Sequence, residues 1–162
     1  GTKMTNLGMR KALTDNGMKF IEADVGDRHV MDHLIKNKAI LGGEGSGHII
    51  CLNKSMSGDG IIAALQILEI VAKSGQSLFN LKSVMTKYPQ VLINIKTESK
   101  VNLNDSKLLE LIGTVESKLT DKGRVLVRES GTEPLVRIMV ECADNALATE
   151  SAKQISEAIQ SM

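Results

Sequence analysis

The sequence predicts two small mixed domains in tandem: an N-terminally truncated α/β unit over residues 1–84, then an α+β unit over residues 85–162 with two helices on one face of an antiparallel sheet. Three observations carry that expectation. Helical stripes alternate with short aliphatic runs in the first half, as a layered α/β unit requires. The second half reads β-α-β-β-α. A polar stretch ending in Tyr88-Pro89-Gln90 separates the halves, where proline and the residue before it break regular structure. With 162 residues the chain has room for one ordinary domain or two small ones.

The elements follow in order. Residues 6–16 read as a short helix stopped by Gly17. Residues 18–24 are a strand candidate. Asp27 is placed to cap a helix running to Asn37, with Val30, Met31, Leu34 and Ile35 as its apolar stripe. Ala39, Ile40 and Leu41 carry a buried-strand signature, and residues 48–53 form a second strand after a glycine-rich stretch. Asp59 caps a strongly apolar helix over residues 60–73, and residues 77–88 hold a shorter one. In the second half, alternation marks a strand over residues 91–97, and an amphipathic helix spans residues 105–119. Strands over 124–128 and 135–142 and a closing helix over 146–159 complete it.

Composition narrows the function classes. Aromatic residues are only 2% and Trp is absent, so the core is aliphatic and there are no stacking platforms for single-stranded nucleic acid. A formal charge of +1 gives no electrostatic reason to expect nucleic acid or an anionic membrane as partner. No apolar run approaches the roughly 20 residues of a membrane helix, and no signal-peptide pattern opens the chain. Cys51 and Cys142 lie in apolar runs and read as buried free thiols, consistent with a reducing, cytoplasmic setting. His29 and His33 have i, i+4 spacing but lack a third ligand nearby, so they read as a solvated helix face, and no metal site is expected.

Two loops carry chemistry. In the first, Glu44, Ser46 and His48 alternate within Gly43-Glu44-Gly45-Ser46-Gly47-His48. A carboxylate, a hydroxyl and an imidazole on one side of a turn suit sugar hydroxyls or an amine. A glycine-rich hairpin with solvated polar tips is the equally open alternative. The stretch fails as a P-loop, because His48-Ile49 stands where Lys and Ser/Thr are required. It fails as a dinucleotide motif too, since a strand rather than a helix is expected to follow. The second loop runs Arg128-Glu129-Ser130-Gly131-Thr132-Glu133-Pro134, with Arg137 beyond it. Arg128 offers a planar fork for phosphate oxygens, Ser130 and Thr132 add hydroxyls, and Gly131 permits a backbone anion nest. The alternative is a polar turn whose arginines pair with Glu129 and Glu133.

The run Gly42-Gly43-Glu44-Gly45-Ser46-Gly47-His48 resembles the sugar-recognition loop of the α-D-phosphohexomutases, and residues 123–141, GRVLVRESGTEPLVRIMVE, resemble that family's phosphate-binding loop. Residues 25–30 and 58–61 match further segments, so the resemblance is ordered and covers most of the chain from Thr2 onward. The R-x-S-G-T-E-P form of the phosphate loop is nearest to members acting on glucosamine phosphate. Gly45 departs from the pattern, standing where the family often has Gln or Met.

The resemblance implies a four-domain enzyme around a central cleft, of which this chain supplies most of the third domain and all of the fourth. Such an enzyme interconverts glucosamine 6-phosphate and glucosamine 1-phosphate on the route to peptidoglycan amino sugars. A phosphoserine in the first domain gives its phosphoryl group to the sugar, and the bisphosphate reorients and returns the other phosphate. Mg²⁺ held by an aspartate-rich loop of the second domain assists. Neither the serine motif nor D-G-D-G-D-R occurs here, so the chain alone is expected to hold no catalytic residue, bind no cofactor and be inactive. By matching position, Glu44 and Ser46 bind sugar hydroxyls with His48 beside them and Arg28 near the sugar. Arg128, Ser130, Gly131 and Thr132 hold the non-reacting phosphate, with Arg137 a further candidate. The implied partners are a hexosamine phosphate and the missing N-terminal domains; a homodimer is left open. A sister mutase acting on glucose or mannose phosphates, and a non-catalytic sugar-phosphate-binding module, are the alternatives.

Overall fold

The computed structural model describes residues 1–97, 101–131 and 133–162. The chain divides into two compact units, Gly1–Lys87 and Tyr88–Met162, each with its own apolar core. Among the described residues there are six α-helices and two small antiparallel sheets.

In the first unit, α1 (Leu7–Asp15) begins where Asn6 Oδ1 accepts the Gly8 N–H at 3.1 Å. It stops just before Gly17, whose φ of +71° is left-handed. The strand expected over residues 18–24 reduces to one parallel bridge between Thr2 and Ala23. A ladder needs a partner of equal length, and the pairing is confined to Ala23 N–H to Gly1 O at 2.8 Å, Lys3 N–H to Ala23 O at 2.9 Å and Gly1 N to Ile21 O at 3.0 Å.

Helix α2 (Asp27–Asn37) is capped by Gly26 without a side-chain bond, so Asp27 is its first residue rather than its cap. There the carboxylate faces the positive end of the helix. Val30 and Leu34 are buried, but Ile35 is 54% exposed. The stripe is narrower than the pattern predicts because the helix meets the core along one i, i+4 ridge, where Val30 and Leu34 join Ala23 and Ile50.

Strands β1 (Leu41–Gly43) and β2 (Ile49–Cys51) form an antiparallel hairpin with Gly42 opposite Ile50. The first strand starts later than its apolar signature suggests, and Ile40 and Leu41 are exposed rather than buried. Gly42 is the contact with α2: a Cβ there would lie 2.7 Å from Val30 Cγ1. The alternation of the strand then turns Leu41 outward. Cys51, opposite Leu41, is half-buried and not the fully buried thiol expected.

Helix α3 (Gly60–Ser74) follows, capped by Asp59 Oδ1, which accepts from Ile61 N at 2.8 Å and Ile62 N at 3.0 Å. A short α4 (Leu78–Leu81) and a 3₁₀ turn over Lys82–Val84 close the unit. Among the described residues no single helix is long and apolar enough to cross a membrane.

The second unit follows the predicted order: β3 (Gln90–Lys96), α5 (Ser106–Leu119), β4 (Gly123–Glu129), β5 (Leu135–Cys142) and α6 (Asn145–Gln160). Asp105 and Asp144 cap the two helices through their Oδ1 atoms. The sheet order is β3-β5-β4, antiparallel throughout. Ile95, Val136, Ile138 and Val140 point to one face and pack with Leu108, Val115 and Leu119 of α5 and with Ala148, Ala152, Ile155 and Ile159 of α6. Period-two alternation therefore assigns Asn94, Arg124, Arg128, Arg137 and Glu141 to the other face. Glu141 is fully buried there, accepting from Arg124 Nε at 2.7 Å and Gln90 Nε2 at 3.2 Å.

Candidate functional site

Each unit presents one polar loop. The first unit's loop, residues 44–48, closes the β1–β2 hairpin. Glu44 N–H donates to His48 O at 2.9 Å, and Gly47 N–H donates to Glu44 O at 3.1 Å. Gly47 adopts φ +98°, a conformation side chains resist, so the tip of this loop requires its glycine. The three predicted side chains are brought together. Ser46 Oγ lies 3.1 Å from His48 Nδ1, and Glu44 Oε2 lies 3.8 Å from the same nitrogen.

Glu44 is the buried member of this trio, its side chain only 11% exposed. Its Oε1 accepts the Gly26 N–H at 2.7 Å, tying the hairpin loop to the start of α2. Sequence reasoning missed Gly26, because a backbone donor leaves no side-chain signature. The tie places the segment carrying Arg28 beside the loop, and Arg28 is exposed on the first turn of α2. Gly45 has open space where a side chain would project.

The second unit's loop joins β4 to β5. Ser130 N–H donates to Leu135 O at 2.9 Å and so closes the hairpin. Gly131 is not among the left-handed glycines, which are Gly17, Gly26, Gly47 and Gly75. The nest expected around Gly131 is therefore not built from a left-handed glycine, and Ser130 offers its hydroxyl rather than its amide. Open space surrounds the Cβ position of Gly131. Thr132, a predicted phosphate contact, lies outside the described residues.

The arginines define this site. Arg128 and Arg137 stand directly opposite each other in the β4–β5 register and so share a face. Ser130 Oγ and Arg137 Nε are both buried without a hydrogen-bond partner. Arg137 Nη2 donates to Glu133 Oε2 at 2.9 Å, while Arg128 Nη1 reaches the Glu129 carbonyl oxygen at 3.4 Å. The pairing alternative is thus realised for Glu133 alongside two unfilled polar atoms. Asn94, in register with Arg137 on β3, extends the row across the sheet. That neighbour was legible only with the strand order in hand.

Among the described residues no group of three or more His, Cys, Asp or Glu side chains is placed to hold a metal ion. His33 Nδ1 is buried and lacks a hydrogen-bond partner, so the His29–His33 face is less solvated than its spacing suggests.

Comparison with known proteins adds to this geometry. Residues 1–88 match the phosphoglucomutase/phosphomannomutase alpha/beta/alpha domain III, and residues 92–158 match the C-terminal domain of the same family. The chain is 59% identical over 157 residues to a phosphoglucosamine mutase of Ruthia magnifica subsp. Calyptogena magnifica, covering 96% of this chain and 36% of that protein. It is 45% identical to a phosphoglucosamine mutase of Hydrogenovibrio crunogenus, covering 99% of this chain and 36% of the relative. The chain thus spans about a third of the length of the curated relatives it matches. An Aspergillus fumigatus N-acetylphosphoglucosamine mutase structure shares the fold with a TM-score of 0.85 at 18% identity, over 99% of this chain and 37% of that one. An N-acetylglucosamine-phosphate mutase of the α-D-phosphohexomutase superfamily, in its product complex, does so with a TM-score of 0.81 at 20% identity, over 98% and 37%. With both family domains matched in order along one chain, the protein belongs to the phosphoglucomutase/phosphomannomutase family.

Proposed function

We propose that this chain is the sugar-reading and phosphate-holding portion of a mutase that interconverts glucosamine 6-phosphate and glucosamine 1-phosphate. Relatives named phosphoglucosamine mutase at 45% and 59% identity favour this substrate over glucose or mannose phosphates. In this reading the parent acts in the cytoplasm, and residues outside this chain supply the transferring phosphoserine. Among the described residues no three His, Cys, Asp or Glu side chains converge, so they do not fit as the site of the Mg²⁺ the family resemblance implies. One solved relative is described in complex with GlcNAc-6P and magnesium.

The single observation that carries the reading is the pair Arg128 and Arg137, opposite one another with Ser130 Oγ and Arg137 Nε unfilled. Like charges directly across a strand pair destabilise a sheet, and a buried donor without an acceptor costs about 1–3 kcal/mol. Violations of this kind collect at functional sites. A phosphate oxygen placed between the guanidinium groups removes both penalties, through charge-assisted hydrogen bonds with Ser130 Oγ as a third donor. The 44–48 loop then reads hydroxyls: Glu44 keeps Oε2 for a hydroxyl donor while Oε1 holds Gly26. Ser46 and His48 supply further donors and acceptors. Each loop supplies positioning of its own kind, a phosphate grip in one unit and hydroxyl reading in the other, and positioning carries much of phosphoryl-transfer catalysis.

Titration of the chain with glucosamine 6-phosphate, followed by amide chemical shifts, tests the reading. Saturable shifts are expected at Arg128, Ser130 and Gly131 and in the 44–48 loop. Ser130→Ala is expected to weaken binding about tenfold, the scale of one hydrogen bond to a charged group. The chain alone is expected to show no interconversion. Unchanged affinity in both Arg128→Ala and Arg137→Ala would sink the proposal.

A further inference from the structure

We propose that Glu133 is an internal stand-in for phosphate, a carboxylate that engages Arg137 while the site is empty and must swing away before the ligand is held. The inference rests on the phosphate-site reading of this loop. Glu133 Oε2 accepts from Arg137 Nη2 at 2.9 Å, the contact a phosphate oxygen would make. The engagement is incomplete, because Arg137 Nε is left buried and unpartnered beside it. One carboxylate oxygen fills one donor of the guanidinium fork. A phosphate, with three terminal oxygens, can fill that donor and the neighbouring Nε together.

The positions of the two groups suit displacement. The Glu133 side chain is 57% exposed and lies on the loop ahead of β5, so it can rotate into water with little desolvation to reverse. Arg137 is anchored on the central strand β5, between Asn94 and Arg128, so the cation stays while the anion leaves. In the empty site the carboxylate offsets the repulsion between Arg128 and Arg137. In the filled site it becomes a like charge near the ligand and opposes it. Glu133 thus sets affinity downward, a useful property where one ligand must be released and rebound in two orientations.

Binding of inorganic phosphate and of glucosamine 6-phosphate to the 162-residue chain, Glu133→Gln and Glu129→Gln, measured by amide and guanidinium NMR shifts, tests the proposal. Glu133→Gln is expected to bind about two- to fivefold tighter, the scale of one exposed ion pair. It should also shift the ligand-free Arg137 guanidinium signals, because the Nη2–Oε2 contact is lost. Glu129→Gln removes the same charge from the other end of the hairpin and controls for net charge, so its gain should be smaller. If the chain binds phosphate and Glu133→Gln binds equally or more weakly, the stand-in role is wrong while the phosphate site stands. Equal gains in the two variants overturn it too, since net charge then suffices. If neither the chain nor its variants show shifts at Arg128, Ser130 and Gly131, the phosphate site fails and this inference fails with it.

Discussion

At the residue scale, charge is placed where it is answered. Arg10 donates to the carbonyl oxygens of Thr2, Lys3 and Thr5, pairs with Glu22 and lies over the Phe20 ring, fixing the segment ahead of α1. Lys3 and Asp24 extend the same junction, with Nζ 2.6 Å from Oδ1. The hydrogen bond from Lys3, and then its charge, hold the Asp24 carboxyl below its ordinary pKa; the same bond raises Lys3. A carboxylate with a depressed folded-state pKa stabilises the fold above the ordinary value of about 3.9. That contribution fades as pH falls through the lower, folded value. The raised Lys3 adds stability below the ordinary lysine range and loses it as pH climbs past its folded value. Asp24→Asn is therefore expected to flatten the fall in urea midpoint below about pH 4. Because Lys3 and Asp24 are both solvent-exposed, the difference should shrink in about 1 M salt. Parent and variant losing stability in parallel from pH 7 to acid would show that this pair does not shape the acid limb.

At the scale of the element, backbone contact decides what a side chain would do. Gly8 lies in α1 with Thr86 so close that a Cβ would overlap the Thr86 carbonyl oxygen. Gly113 lies in α5 with nothing within 4 Å of its Cβ position. Alanine in an open helix interior stabilises by about 0.5–1 kcal/mol relative to glycine. Gly113→Ala should gain that amount, whereas Gly8→Ala should lose about 1–3 kcal/mol through overpacking. Urea unfolding of both variants checks the contrast, and a shift of the same sign in both would refute the contact argument. The same distinction explains what was legible in the sequence. The elements of the second unit were readable because Ile93 and Ile95 alternate with Asn94 and Lys96 and because residues 105–119 carry a helical apolar stripe. The row Asn94–Arg137–Arg128 was not readable, since it depends on β5 lying between β3 and β4. Donors and acceptors sufficed to single out Glu44, Ser46 and His48, which do lie together. The Glu44–Gly26 tie and the buried, unfilled Arg137 Nε could not, because one uses a backbone donor and the other is a property of burial. The exposed Ile40 and Leu41 misled for a related reason: the hairpin meets α2 through Gly42, the residue with no side chain to advertise it.

For the molecule as a whole, the unusual feature is apolar surface. Helix α3 is apolar on nearly every side, a pattern that normally marks a helix covered on more than one face. Here Ala63 is its single buried residue, and Ile61 is 75% and Leu68 61% exposed. Phe79 of α4 adds a ring that is 72% exposed. Contiguous apolar patches beyond a few hundred Å² are rare on free-standing soluble proteins and mark surfaces that meet something else. The curated relatives are far longer than this chain, which spans 36% of them, so the expectation to test is that a chain of that length covers this face. The 162-residue chain should accordingly enhance the fluorescence of an apolar dye such as anilinonaphthalene sulfonate while showing well-dispersed side-chain methyl NMR signals, which separates an exposed native patch from a molten state. Replacing Leu65 and Leu68 together with Glu should remove most of the enhancement and leave far-ultraviolet helicity intact, because neither side chain joins the core of Ala23, Val30, Leu34 and Ile50. A protein of the relatives' full length should give little enhancement under the same conditions. Dye binding as strong in the full-length protein as in this chain would show that the face of α3 stays uncovered there and serves a partner outside the polypeptide.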